Sequence, residues 1–280
     1  MPGLTGTRLS LEIGRQTTLA QNVLKTQIQI ATGKRIERAS DDPGAAARIA
    51  DLVRSQGNVE SWASNVSLGQ SLAAHADSIL SQLSDRVVQA QSAYISAGDS
   101  ALGADYRAGV AAELRSFASE IDEMAATKSS LDQPLFASSG NSRIPVGDGL
   151  TIAPVPSASE VFQTGGVSLS QQLRDAAAAL EMTDPQQRAA AYAQSTQQLG
   201  AMVAHVATVH SDVGVRANRL DALQNRLATQ KIDLASERSG LEDTDITLAV
   251  AQLNSQQLTL EAAQAAFARI SKQTLFDILR

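Results

Sequence analysis

A seven-residue apolar repeat in the second half of the chain constrains the fold more than any other sequence feature. Every member of the series is apolar: Tyr192, Leu199, Val206, Val213, Leu220, Leu227, Leu234, Leu241 and Leu248. A repeat of seven sustained over this length is typical of helices that supercoil around a partner. Asp184 and Pro185 supply an N-cap and a first helical residue, so we predict one helix from Pro185 to about Leu241, roughly 85 Å long.

The companion positions of this series are only partly apolar. They include apolar and polar residues alike: Met202, Val209, Leu223, Arg216, Gln230 and Glu237. This mixture predicts the seam of a bundle or rod and not an ideal two-stranded zipper. Gly214 lies inside the pattern and should weaken the helix by about 1 kcal/mol relative to alanine.

A second seven-residue series lies in a helix predicted from Pro43 to about Ala97. Its members are Leu52, Val59, Val66, Ala73, Leu80, Val87 and Tyr94, with companions Trp62, Ala76, Leu83, Ala90 and Ala97. The two series are natural antiparallel partners in a coiled-coil rod of roughly 75 to 85 Å. A third helix is predicted for residues 105–128, on the apolar residues Val110, Leu114, Phe117, Ile121 and Met124.

Composition excludes several classes of protein and site. The 280 residues include no cysteine, which excludes disulfides and thiolate metal sites, and the formal net charge of -6 comes without a basic stripe for nucleic acid. No run of about 18 apolar residues suggests a membrane span. Residues 1–15 lack the apolar stretch of a secretory signal. From these features alone, we would expect a cytoplasmic protein.

The spacing of apolar residues at the two ends of the chain predicts weakly amphipathic helices. In residues 5–31 the apolar positions at helical spacing are Leu9, Ile13, Ala20, Leu24, Ile28 and Ala31. After Asp243-Thr244-Asp245 a new series begins, comprising Ile246, Leu253, Leu260 and Phe267, in a helix predicted to run from about Ile246 to Leu279. Because such faces are narrow, each helix needs a partner to be ordered.

Between Ser129 and Gly166 the helical pattern gives way to turn residues. Glycine, proline and serine dominate, and short β-prone pieces lie between them: Ile144–Val146, Leu150–Ile152 and Val161–Phe162. We predict a hairpin or small sheet here. A further helix begins near Ser168, with Leu169, Leu173, Ala176 and Leu180 on one face.

We find no residues to propose as catalytic, as metal ligands or as cofactor ligands. The three histidines (His75, His205 and His210) do not form a metal-binding pattern, and no phosphate-binding glycine loop is present. The acidic clusters at residues 41–42 and 242–245 lie where helices begin, which predicts capping more strongly than chemistry.

Three motifs resemble the axial proteins of the bacterial flagellum. Residues 31–36 (Ala-Thr-Gly-Lys-Arg-Ile) with 40–46 (Ser-Asp-Asp-Pro-Gly-Ala-Ala) are similar to the N-terminal motif of flagellins and hook–filament junction proteins. Residues 213–220 resemble the start of their C-terminal region, and residues 256–280 resemble their last helix. Together the motifs cover both ends of the chain, in the order that the family has.

The resemblance implies a mainly α, elongated helical hairpin with its N- and C-terminal helices paired. Residues 1–42 and 246–280 would form a core-forming terminal domain, and residues 43–130 and 167–245 the coiled-coil rod. Residues 131–166 would be a small β-rich insert at the far end of the rod, facing outward.

The resemblance also implies a structural subunit, not an enzyme, without cofactors and without membrane insertion. It would be exported by the flagellum's own type III apparatus, with an export chaperone and without a cleaved signal, and so would be extracellular. Its partners would be further copies of itself in a ring or helical array, the hook-side junction protein and flagellin. The assembly interface would include Leu9, Ile13, Leu24, Ile28, Leu253, Leu260 and Phe267.

Four interpretations of the function remain. A junction protein is favoured by Pro43 after the aspartate pair, by the central residues 134–137, 143–145 and 160–162, and by the ending Leu275-Phe276-Asp277. The final Leu279-Arg280 and the short insert favour a small flagellin. A cytoplasmic coiled-coil scaffold is compatible with the periodicity alone, and an enzymatic insert is the most distant alternative.

Overall fold

The protein is described by a computed structural model that covers residues 3–98, 103–138, 140 and 142–278, with side chains from residue 10 to 269 apart from these gaps. Its described helices are α1 (Gly3–Thr32), α2 (Pro43–Ala97), α3 (Ala104–Ala125), α4 (Ala158–Phe162), α5 (Leu169–Glu181), α6 (Pro185–Glu242) and α7 (Ile246–Ile278). Four short strands accompany them: β1 (Ile144–Gly147), β2 (Leu150–Ile152), β3 (Gln163–Thr164) and β4 (Val167–Ser168). The predicted mainly α class with a small β-containing insert is confirmed.

The chain folds into two compact units. The first comprises Met1–Gly57 and Ile232–Arg280, and the second comprises Asn58–Lys231. The boundaries between the units fall inside α2 and α6, so each of these helices has one part of its length in each unit. The division into three domains drawn from the sequence stays a prediction.

Most of the seven-residue series of both long helices is buried, as their periodicity predicted, whereas Tyr192, Leu234 and Leu241 of α6 are half-buried. The buried members are Leu52, Val59, Val66, Ala73, Leu80, Val87 and Tyr94 of α2 and Leu199, Val206, Val213, Leu220 and Leu227 of α6. The companion positions Ala76, Leu83, Ala90, Ala97 and Met202 are buried with them. In the second unit Gln70 donates a hydrogen bond to Asp221 (2.7 Å) and Tyr192 donates one to the Ile95 carbonyl (3.2 Å), so the helices run antiparallel there.

The assignment of Leu248 to this series is corrected by the structure. The helix α6 ends at Glu242, and Leu248 lies on α7, where its side chain is 68% exposed. The cause is the carboxylate of Asp245, which accepts hydrogen bonds from the backbone N–H groups of Thr247 (2.9 Å) and Leu248 (3.1 Å). This cap begins a new helix, and the seven-residue spacing crosses the joint by coincidence.

The core of the second unit is completed by α3 and α5, which pack against each other. Their buried residues are those that the spacing predicted: Val110, Leu114, Phe117 and Ile121 on α3, and Leu169, Leu173, Ala176 and Leu180 on α5. At the edge of this contact Arg115 pairs with Glu181 at 2.5 Å, and Arg174 pairs with Asp122. The apolar residues of the pair join one continuous core with α2 and α6.

The strands β1 and β2 form the predicted hairpin, which packs on the middle of the long helices. Asn65 of α2 donates a hydrogen bond to the Pro145 carbonyl (2.8 Å), and Arg216 of α6 donates one to the Ala153 carbonyl (3.2 Å). A Cβ on Gly69 would lie only 2.8 Å from the Ile144 side chain, so the glycine permits close approach of the hairpin. The predicted position of the insert at the far end of these helices is therefore wrong.

The residues Val161 and Phe162 are helical and not β-structured as predicted. Ser157 and Glu160 form a capping box: the Ser157 hydroxyl accepts from the Glu160 N–H, and the Glu160 carboxylate accepts from the Ser157 N–H. This box begins α4 and turns Val161 and Phe162 into the core, where both are buried. Their β-propensity is outweighed by the local cap and by burial.

The end of α2 is packed against an aromatic pair. The rings of Tyr94 and Tyr192 stack with centroids 4.9 Å apart. Gly98 lies directly beside this stack, and a Cβ at that position would come within 2.1 Å of the Tyr192 hydroxyl oxygen. Residue 98 must therefore be glycine for the stack to keep its position.

We expect Gly98→Ala to lower the free energy of unfolding by about 1 to 3 kcal/mol, the usual cost of overpacking a filled site. The added methyl group must displace Tyr192 from the stack and break its hydrogen bond to Ile95. Urea unfolding followed by circular dichroism measures the change.

The matched control is Gly214→Ala in α6. A Cβ on Gly214 meets nothing within 4 Å, so alanine should raise stability by about 0.5 to 1 kcal/mol through its higher helix propensity. Equal stability of Gly98→Ala and the wild type would show that the tyrosine stack is loosely packed.

Candidate functional site

The terminal helices α1 and α7 pack against each other in the first unit. On α1, a face of buried or half-buried residues at three- and four-residue spacing comprises Gln16, Leu19, Val23, Thr26 and Ile30. On α7 the corresponding face comprises Ala249, Leu253, Gln256, Leu260, Ala263 and Phe267. We call these the pairing faces. Their 3–4 spacing is that of two helices in long side-by-side contact.

A polar pair lies inside this contact. The Thr26 side chain is only 3% exposed, and its Oγ1 lies 2.9 Å from Gln256 Oε1 and 3.0 Å from the Asn22 carbonyl oxygen. Both partner atoms are acceptors and a hydroxyl has one proton, so Thr26 donates to one of the two oxygens at a time. A buried pair of this kind fixes the register of two helices, because any shift leaves a polar atom unpaired.

The predicted interface residues divide between two kinds of position. Leu253, Leu260 and Phe267 lie on the pairing face of α7 and are half-buried. Ile13, Leu24 and Ile28 lie on another face of α1 and are exposed, by 51%, 57% and 37% respectively. The side chain of Leu9 falls outside the described residues. The structure thus brings the C-terminal residues to the α1–α7 contact and leaves the described N-terminal ones open.

Each terminal helix has a second apolar face beside its pairing face. On α1 this outer face comprises Ile13, Ala20, Leu24, Ile28 and Ala31, and on α7 it comprises Leu248, Ala251, Leu258 and Ala262, all exposed. Leu258 is 69% exposed, and the sequence interpretation missed it because it followed only the seven-residue series. A search for two separate 3–4 series on α7 would have found it.

The segment after α1 is bound to the joint between α6 and α7. Gly33 ends α1 with a φ of 70°, the left-handed conformation that favours glycine. Its carbonyl accepts a hydrogen bond from the Thr244 N–H (2.8 Å), and the Arg35 N–H donates to the Glu242 carbonyl (2.7 Å). The first predicted motif and the acidic cluster at 242–245 therefore form one joint.

Ion pairs reinforce the joint. Lys34 Nζ lies 2.5 Å from one carboxylate oxygen of Glu242, and Arg238 Nε lies 3.3 Å from the other. The Arg35 guanidinium donates to the Leu241 carbonyl at 2.8 Å. These bonds satisfy carbonyl and carboxylate groups at the end of α6 that the helix itself cannot satisfy.

Asp41 organises the loop between α1 and α2. One carboxylate oxygen accepts from Lys25 Nζ (2.9 Å), and the other accepts from the backbone N–H groups of Arg38 (3.0 Å) and Glu37 (3.3 Å). The Lys25 hydrogen bond, followed by the backbone ones, lowers the pKa of Asp41 from 3.8 to about 2. Its neighbour Asp42 caps α2 by accepting from the Ala45 N–H (3.0 Å), as the sequence predicted.

An open cleft of about 280 Å³ adjoins this loop on the outer face of α1. Its apolar wall is Leu24 and Ile28, and its polar rim includes Lys25, Arg35 and Arg38. This arrangement, an apolar strip with a charged edge, is that of a protein contact surface more than that of a small-molecule pocket.

No cluster of metal-ligating side chains is found in the described part of the chain. Within residues 3–98, 103–138, 140 and 142–278, no group of three His, Asp or Glu residues is placed to hold a metal ion. His210 pairs with Asp77 at 2.9 Å on the helix surface. None of the described helices is long and apolar enough to cross a membrane.

Family comparisons agree with the arrangement of paired terminal helices. The bacterial flagellin N-terminal helical region matches residues 12–140, and the bacterial flagellin C-terminal helical region matches residues 196–279. The chain belongs to the flagellin family. The resemblance drawn from its motifs is confirmed.

Within this family the chain is similar to flagellar hook-associated protein 3. It is 23% identical to that protein of Escherichia coli K12, across 89% of this chain and 90% of the relative. It is 22% identical to the protein of the same name from Salmonella typhimurium LT2, across 92% of this chain and 93% of the relative.

Solved structures show the same fold. A flagellar hook-associated protein from Vibrio parahaemolyticus aligns with a TM-score of 0.66 at 18% identity, covering 72% of this chain and all of that one (100%). Flagellar hook-associated protein 3 from Legionella pneumophila aligns with a TM-score of 0.63 at 14% identity, covering 69% of this chain and 98% of that one.

We expect Lys25→Met to raise the pKa of Asp41 from about 2 part of the way toward 3.8, because the strongest stabiliser of the carboxylate is removed. A group with a lowered pKa stabilises the fold above its ordinary pKa and loses that effect as the pH falls through the lowered value. In the wild type the Asp41 contacts are therefore lost near pH 2, and in the variant at a higher pH.

Carboxyl ¹³C chemical shifts followed against pH measure this change. The control is Lys34→Met. It removes an equal charge, but Lys34 pairs with Glu242 and not with Asp41. An Asp41 titration that is the same in both variants would exclude Lys25 as the cause of the lowered pKa.

Proposed function

We propose that the protein is a structural subunit of the bacterial flagellum, an adaptor at the junction between hook and filament. The observation that carries this proposal is its match to hook-associated protein 3 over about nine-tenths of both chains. Flagellin, the filament subunit, is the alternative within the same family.

The faces of the terminal helices support assembly through them. The pairing faces of α1 and α7 are used within the chain, whereas the outer faces, which include Leu24, Ile28 and Leu258, are exposed in a single copy. Apolar faces in this position are suited to neighbouring subunits. We infer that the pairing faces form the terminal pair and that the outer faces bind the next subunits.

The energy available from these faces is adequate for assembly. Burying one large aliphatic side chain stabilises a contact by roughly 1.5 to 3 kcal/mol, and several are exposed on α1 and α7. Part of this gain offsets the ordering of weakly amphipathic helices, which lowers the net affinity per contact. Assembly in a ring or helical array repeats each contact many times.

The remaining elements of the proposal follow from family membership. The neighbours would be the hook-side junction protein on one side and flagellin on the other, with an export chaperone before assembly. Export would use the flagellum's own type III apparatus, without a cleaved signal peptide, and place the protein outside the cell. We infer that its role is mechanical and involves no catalysis.

We expect the double substitution Leu24→Asp with Ile28→Asp to abolish incorporation into flagella while leaving the isolated chain folded. Both side chains are exposed, so a single copy loses little stability, whereas a neighbour would have to bury two carboxylates. Circular dichroism of the purified chain and immunoblots of isolated flagella measure the two effects.

The control places the same two charges elsewhere on α1, as Thr18→Asp with Asn22→Asp. These positions are exposed but lie outside the outer face of α1. Incorporation of the Leu24/Ile28 variant at the level of the control would exclude the outer face as an assembly surface.

Immunogold electron microscopy of flagella, with antibody against residues 131–166, separates the candidate functions. Gold confined to the boundary between hook and filament is the expected result. Gold along the whole filament would make the protein a flagellin. Protein retained inside the cell and absent from flagella, with the epitope shown to be accessible, would favour a cytoplasmic scaffold.

A further inference from the structure

Arginines surround the β1–β2 hairpin in the second unit. Arg143, Arg216 and Arg219 line a cleft on one side of it, and Arg226 lines a cleft on the other. Arg216 is held by Asp212 (2.7 Å) and the Ala153 carbonyl, and Arg143 donates to Thr151 (2.9 Å). Arg219 and Arg226 are exposed and have no ion-pair or hydrogen-bond partner among the described residues. We call Arg143, Val215, Arg219 and Arg226 the basic patch.

An opposite patch lies on α2 and α3 of the same unit. Asp85, Glu120 and Glu123 line one cleft there, and Arg86 pairs with Glu120 at 2.7 Å. Asp85 and Glu123 are exposed and, within the described part of the chain, form no ion pair. We call Asp85, Glu120 and Glu123 the acidic patch.

These patches differ from other charged positions of the same unit. Arg115 and Arg174 are paired within the chain, to Glu181 and Asp122. Both patches instead include charges that have no partner in the described part of the chain: Arg219 and Arg226, near the exposed Val215 (63%), and Asp85 and Glu123. Glu120 is paired with Arg86. Asp148 and Asp212 also line the clefts of the basic patch, and Asp212 pairs with Arg216. Like charges held together repel each other, and an opposite surface relieves that repulsion. Arginine around apolar area is also the composition that protein interfaces favour.

The geometry indicates how two copies would meet. At about 1.5 Å per residue, about 24 Å of helix separate Gly69, beside the hairpin, from Asp85. The two patches are therefore different surfaces displaced along α2. A surface that binds a different surface of an identical copy forms a head-to-tail contact, which closes into a ring or continues as a helix.

We propose that the basic patch of one copy docks on the acidic patch of the next copy. The proposal rests on the proposed function in one respect, since it requires several copies in one assembly. It identifies a contact in the second unit, separate from the outer faces of the terminal helices. This contact sets the order and direction of successive copies, because opposite patches attract and equal patches repel.

Chemical cross-linking in flagella tests the contact. The chain has no cysteine, so thiols introduced as Arg219→Cys in one copy and Glu123→Cys in a second copy are the only ones that a short bismaleimide can join. We expect a cross-linked dimer when both copies are expressed together, and none when either is expressed alone. In the control, Asp105→Cys replaces Glu123→Cys as the partner of Arg219→Cys. Asp105 lies on the same helix as Glu123, about 27 Å from it at about 1.5 Å per residue.

The outcomes separate this contact from the proposed function. If both variants are present in isolated flagella and cross-link no more than the control pair, the docking is excluded while the junction role stands. If the wild-type chain is absent from flagella, the proposed function fails and the docking fails with it.

Charge-reversal variants test the contact between the two patches if the cysteine variants do not assemble. We expect Arg219→Glu with Arg226→Glu, and separately Asp85→Arg with Glu123→Arg, each to lower incorporation by roughly tenfold. A chain that carries all four substitutions should recover incorporation, since its patches are opposite again. Wild-type incorporation of either double variant, or failure of the fourfold variant to recover while circular dichroism shows it folded, would overturn the proposal.

Discussion

The burial of the seven-residue apolar series on α2 and α6 is the interaction on which the rest of the structure depends. Twelve aligned side chains, from Leu52 to Tyr94 on α2 and from Leu199 to Leu227 on α6, are almost fully removed from water. The hairpin, α3, α4 and α5 all pack on the framework that these two helices provide in the second unit. Without that framework, the insert has two short hairpins and one turn of helix, which are too small to fold alone.

The contact between the terminal helices differs from this buried apolar core. The helices α1 and α7 bury only one face against each other, and the contact is partly polar, with Thr26 and Gln256 at its centre. A contact of this kind sets register more effectively than it adds stability. The outer faces leave apolar side chains such as Leu24, Ile28 and Leu258 exposed in a single copy.

Sequence reasoning predicted the helices of this fold well and its faces less well. The series from Leu199 to Leu227 predicted burial correctly because period and length agree over many turns. The assembly interface predicted to include Leu24 and Leu253 stays a prediction; within a single copy, Leu253 lies on the pairing face and Leu24 is exposed. The α1 pairing face includes polar Gln16 and Thr26, so a search for apolar periodicity favoured the outer face. The helical state of Phe162 was missed because a capping box outweighed its β-propensity.

The sequence by itself determined the long helices, their caps at Asp42, Asp184 and Asp245, the hairpin and the family. These depend on neighbours within a few residues or on a regular period, so they can be read along one chain. The tertiary structure alone decided that residues 33–35 bind the joint at 241–244, and that the hairpin lies against Asn65 and Gly69. It also decided which charges stay unpaired. Such contacts join residues that are far apart in the chain, and they depend on how two faces meet in space, which no local pattern specifies.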